Sequence, residues 1–271
     1  MTSSPTTTQK PPNTRIKSVV IPPEHGAWGF LLEPVVLGLG IAPSWAGLFM
    51  ALGVVGAFLT RHPLKIALLD RTRGKRYART RLAERFALVY GAVALAGFVP
   101  AVVLVGLAPF APFGLALPLV VILFASFRSN RWRSLLPELA GASAMAATAA
   151  SIALAGSEGW NAALASWAVL LARNIPSIMY IRARLRLEKG QPHSAPLVLG
   201  INGIAVAGIF GLVVAGYAPL LAVAAMALLF VRAAAGLSPY RRQVQTKTLG
   251  FLEIGYGLLV VTLTIVGYTL G

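Results

Sequence analysis

Nine stretches of apolar residues alternate with short polar connections along almost the whole chain. They fall near 26–41, 45–61, 86–106, 108–126, 135–155, 161–181, 196–216, 218–236 and 249–270. Several approach the roughly 20 residues that a helix needs to cross a bilayer, and the first two are short. The connections are of two kinds. Ala42-Pro43-Ser44, Gly106 to Pro109, Gly156 to Gly159 and Gly216 to Pro219 are small turns that carry one charge between them, Glu158. The other connections are cationic and longer. The pattern predicts antiparallel helix pairs in an all-α, polytopic membrane bundle of about nine transmembrane helices. It places a tail at 1–21, expected to be disordered and cytoplasmic, ahead of one helical domain at 22–271.

Charge sets the orientation. All 24 Lys and Arg residues fall in five clusters: Lys10 to Lys17, Arg61 to Arg85, Arg128 to Arg133, Arg173 to Lys189, and Arg232 to Lys247. Every cluster belongs to the same side of the alternation, and cationic loops stay cytoplasmic during insertion. The expected placement is a bacterial inner membrane, with the N-terminus inside and the C-terminus outside. Composition agrees. Hydrophobic residues are 57% of the chain and charged ones 12%, too little polar surface for a soluble domain. The net charge of +16 is spread over short loops between spans, so it points to anionic headgroups and not to nucleic acid. The absence of cysteine excludes disulfides, thiol nucleophiles and thiolate metal sites. Residues 1–20 lack the apolar core of a cleavable signal peptide.

Candidate chemistry lies toward the cytoplasmic side. Glu33 is roughly 12 Å past His25 at 1.5 Å per residue, a depth at which an ionisable group usually faces a bundle interior or an aqueous cavity. His25, Trp28 and Glu33 recur at helical spacing, so they line a cavity or anchor the helix at the interface. Glu138 and Glu253 sit near helix N-termini, where the helix dipole alone favours a carboxylate. Two basic helix ends look alike. Arg61-His62-Pro63-Leu64-Lys65 precedes Asp70-Arg71, and Arg173-Asn174-Ile175-Pro176-Ser177 precedes Tyr180, Arg182 and Arg184. Arg173, Ser177, Tyr180 and Arg184 share one helical face. Such cations snorkel to the headgroups or surround an anion, for which guanidinium groups suit phosphate. The segment from Tyr240 to Lys247, with Glu253 and Tyr256 after it, closes the same cavity or anchors the last helix. The sequence holds no Gly-rich phosphate loop and no HExxH, and its spacing places no Ser/His/Asp arrangement.

The Glu24-His25-Gly26-Ala27-Trp28 opening, Arg61-His62-Pro63 with Asp70-Arg71, and the Tyr180-x-Arg182-Ala183-Arg184-Leu185 run together resemble the YwiC-like family of bacterial integral membrane proteins. The architecture is also similar to the UbiA superfamily of intramembrane prenyltransferases. That resemblance implies magnesium held by Asp-rich motifs after the second and sixth helices, which neutralises a leaving diphosphate. This chain has Arg61, Lys65 and the lone Asp70 at the first place, and Arg173, Ser177 and Arg182 at the second. Metal-dependent prenyl transfer is therefore not carried over, and neither metal ligands nor cofactors are expected.

The expected function is binding or modifying a lipid-linked anion, an isoprenoid phosphate or a phospholipid, in a cytoplasm-facing cavity. Arg61, Lys65, Arg173, Ser177, Tyr180, Arg182 and Arg184 would hold the head, and Glu33, Asp70 or His25 would handle protons. The alternatives are a proton-coupled transporter of a small anion, with Pro63, Pro137 and Pro176 at broken helices, and a non-catalytic membrane scaffold.

Overall fold

The computed structural model describes residues 19–20, 25–74, 77–128 and 134–271, with the side chains of residues 25–27 and 127–128 also undescribed. Most of the expected tail lies outside those residues. The described chain is helical, in the order α1 (His25–Ile41), α2 (Trp45–Thr72), α3 (Ala78–Val105), a 3-10 turn (Ala108–Phe110), α4 (Ala111–Leu115), α5 (Leu117–Arg128), α6 (Leu135–Ala155), α7 (Trp160–Glu188), α8 (Ala195–Val214), α9 (Leu220–Leu237) and α10 (Thr246–Leu270). Eight helical segments are long and apolar enough to cross a membrane, counting 108–126 as one, and Trp28–Ile41 is a shorter apolar helix. The protein is a multi-pass helical membrane protein.

The helices overrun the apolar stretches at the cationic end. α2 continues to Thr72, α3 starts at Ala78 and α7 runs to Glu188, so much of the basic sequence expected in loops is helical. Side-chain pairs hold these extensions. Asp70 accepts from Arg79 Nη2 at 2.7 Å and from Thr80 Oγ1 at 2.8 Å, and Arg71 Nη2 lies 2.8 Å from Glu84 Oε1. The fourth apolar stretch is broken, because Pro109, Pro112 and Pro118 remove backbone donors and Gly114 loosens the turn.

Close approach between helices rests on small residues, as expected where lipid offers no hydrophobic drive for helices to pair. α2 and α3 form the most extensive contact. There a Cβ on Gly97 would sit 2.6 Å from the Gly53 Cα and 2.5 Å from the Phe49 carbonyl, so the two backbones touch. α6 is the buried helix, with Ala146, Ala147, Ala149, Ala150 and Ala153 fully enclosed. It packs on α1, α2, α5 and α7. α7, α8, α9 and α10 form a second group around Val169, Met226, Leu229 and Val260, and α1 joins it to the first through α10 and α7.

Candidate functional site

Two arginines and two glutamates cluster where α1, α7, α9 and α10 meet, three of them buried and Glu253 partly exposed. Glu33 and Glu253 lie roughly 12 Å and 10 Å from the starts of α1 and α10, at 1.5 Å per residue. Arg173 and Arg232 lie roughly 20 Å and 18 Å from the starts of α7 and α9, which run the opposite way. In a core about 30 Å thick these counts converge on one level, about a third of the way in from the cationic end. The four helices thus place two guanidinium groups and two carboxylates side by side.

Arg173 Nη2 is 3.0 Å from Glu33 Oε1 and donates to the Glu253 backbone carbonyl at 2.9 Å, while its Nη1 lies 3.5 Å from Glu253 Oε2. Arg232 pairs through Nη1 with the other oxygen of Glu253 and donates through Nη2 to Ser177 Oγ at 3.2 Å. Its guanidinium carbon stands 4.4 Å from the Tyr180 ring centre and 5.0 Å from that of Tyr256. Glu253 therefore bridges both arginines. Glycine makes the room. A Cβ on Gly257 would fall on the Glu33 carboxylate and lie 2.8 Å from Arg173 Nη2, and a Cβ on Gly236 would fall on the Tyr180 ring and hydroxyl. Burying charge costs several kcal/mol per ion before pairing, so a cluster like this is expensive unless every partner is in place. Not every donor and acceptor is used: Glu33 Oε2 and the Nε atoms of both arginines are buried without a hydrogen-bond partner among the described residues.

The expected site residues whose side chains are described divide among five places. Glu33, Arg173, Ser177 and Tyr180 belong to this cluster. Arg184, on the same face of α7, is instead a strap. It is buried, donates through its two Nη atoms to the backbone carbonyls of Gly236 and Arg242, and lies 2.9 Å from Glu188, which Arg241 also approaches at 3.6 Å. Arg182 faces α6, with Nε 3.3 Å from Glu138. Arg61 and Lys65 are exposed on α2, with Arg61 5.1 Å above the Phe58 ring, and they do not join Arg173. Asp70 is engaged by Arg79 and Thr80 at the α2–α3 end. The side chain of His25 lies outside the described residues.

Sequence reasoning missed Arg232 as a site residue and left Glu253 between anchor and site. A signal existed. Arg232 precedes Arg241 by nine residues, the interval that separates Arg173 from Arg182. Each is an arginine held inside a span ahead of its basic run. Among the described residues no three His, Asp or Glu side chains converge as a metal site would require.

Residues 21–153 match a protein family described as YwiC-like protein, which covers α1 to α5 and most of α6, and therefore Glu33, but none of α7, α9 or α10. Neither the curated proteins nor the solved structures give a match to the chain.

Proposed function

We propose that this YwiC-like multi-pass membrane protein binds a lipid-linked anion, an isoprenoid phosphate or a related phospholipid head, at the Arg173–Arg232 pair. The observation that carries the reading is that two buried guanidinium groups converge on one carboxylate, Glu253. Donors that fit the two oxygens of a carboxylate also fit two oxygens of a phosphate, and guanidinium presents them as a planar fork. Ser177 adds a hydroxyl, and the Tyr180 and Tyr256 rings flank the cation.

In this reading Glu253 and Glu33 compete with the ligand for the same arginines. A proton on either carboxylate removes a competing charge, so binding of the anion is accompanied by proton uptake. Arg61 and Lys65, exposed on another helix, take no part in holding the head. The cationic loops are cytoplasmic in a bacterial inner membrane, with the N-terminus inside and the C-terminus outside.

The test is native mass spectrometry of the detergent-purified protein beside Arg173→Ala and Arg232→Ala. A co-purifying isoprenoid phosphate or phospholipid, lost in both variants and kept in Arg61→Ala, is the expected result. Lipid held equally by all four proteins would overturn it. A second reading, proton-coupled movement of a small anion, is favoured by Glu33 Oε2, a buried carboxylate oxygen without a hydrogen-bond partner among the described residues. It predicts a proton-linked anion flux in proteoliposomes that Glu33→Gln abolishes.

A further inference from the structure

Away from the buried cluster, α3 carries an exposed face with a cationic start and an apolar continuation. Its first turns use one side to bind α2: Arg79 and Thr80 reach Asp70, and Glu84 reaches Arg71. The other side holds a groove of about 450 Å³ lined by Tyr77, Ala78, Arg81, Leu82 and Arg85. Arg81 and Arg85 are one turn apart, both are exposed, and among the described residues neither forms an ion pair. Immediately beyond them Leu88, Leu95 and Val99 follow at helical spacing and are 74%, 64% and 56% exposed. From Leu88 to Val99 this stripe runs about 16 Å along the axis, close to half of a hydrocarbon core about 30 Å thick.

We infer that this face is a binding site for an anionic phospholipid, with its phosphate between Arg81 and Arg85 and an acyl chain along Leu88, Leu95 and Val99. Charge complementarity selects the head, because two guanidinium groups without counter-ions among the described residues attract a phosphate at the membrane surface. The apolar stripe selects a lipid over a free anion, since it continues from the cationic groove for the depth of one leaflet. The groove is separate from the Arg173–Arg232 cluster and does not depend on the function proposed for it.

The experiment is titration of the full-length protein in detergent with phosphatidylglycerol, and separately with phosphatidylcholine, read by native mass spectrometry. Arg81→Ala/Arg85→Ala is compared with Arg186→Ala/Lys189→Ala, which removes the same charge from another connection at the cationic end. The expected result is preferential binding of phosphatidylglycerol that weakens roughly fivefold for each of Arg81 and Arg85 removed, roughly 25-fold together, and is unchanged in the second double variant. Equal weakening in both double variants would show a diffuse charge effect and overturn the site. Equal binding of the two lipids would overturn it as well. Inorganic phosphate is the third probe. If millimolar phosphate displaces phosphatidylglycerol, and Leu88→Ser/Leu95→Ser leaves lipid binding unchanged, the site belongs to a free anion and the lipid assignment fails.

Discussion

Arg173 and Glu33 are 140 residues apart in the chain, yet their side chains meet at 3.0 Å inside the bundle with only 4% and 9% of their surfaces exposed. That contact ties α7 to α1, and through the Glu253 carbonyl and carboxylate it ties both to α10. Removing one member strands the charge of the other. Arg173→Ala is expected to cost about 3–5 kcal/mol, read as a fall of roughly 10 °C in the apparent Tm of the detergent-solubilised protein. Arg173→Met/Glu33→Gln, which removes both charges, should lose clearly less than the sum of Arg173→Ala and Glu33→Gln. Additive losses would mean that the pair is not coupled.

Gly257 tests the same site without changing any charge. A Cβ there meets the Glu33 carboxylate and Arg173 Nη2, so Gly257→Ala should displace the pair at an overpacking cost of about 1–3 kcal/mol. Gly255, with open space around its Cβ position, is the control. Any lipid bound at the Arg173–Arg232 pair should be weakened by Gly257→Ala and kept by Gly255→Ala.

The strap formed by Arg184 predicts a local effect. This side chain accounts for bonds to Gly236 and Arg242, on either side of the turn between α9 and α10. Arg184→Ala should speed tryptic cleavage at Arg241 and Arg242 severalfold at a temperature where the fold is intact. Arg182→Ala, which removes the partly exposed contact with Glu138, should not.

Helix contact between α2 and α3 is equally specific. Gly97→Leu would drive a side chain into Gly53 and Phe49, whereas Gly91→Leu points into open space on the same helix. The first is expected to lower the apparent Tm by several degrees and the second to leave it within about 1–2 °C, the shift that about 0.5 kcal/mol gives at this size.

Orientation can be read directly because the chain has no cysteine of its own. Asn161→Cys, exposed at the start of α7, should react with a membrane-impermeant maleimide on intact cells. Gln243→Cys, exposed between α9 and α10, should react only after permeabilisation. The reverse pattern would overturn the cytoplasmic assignment of the cationic loops.

What the sequence determined by itself follows from local and additive physics. Nine apolar stretches and the turns of small residues require only that each span satisfy its own backbone hydrogen bonds and exclude charge, so the order and approximate positions of the apolar helical segments could be read along the chain. The depth of Glu33 also marked it as a buried carboxylate. Helix ends were less visible. Asp70, Arg71, Arg79 and Glu84 look like loop charges in sequence, and only their pairing across α2 and α3 shows that they extend the helices. Which arginines belong together was decided by tertiary structure alone. Arg61 and Arg173 share a local pattern, but the partners of Arg173 come from α1 and α10, while Arg61 rests on a phenylalanine of its own helix. Helical spacing places a residue on a face and at a depth; it carries no information about which distant helix covers that face. Arg232 joined Glu253 because α9 and α10 pack beside α7, and Gly257 left the space for their neighbour Glu33.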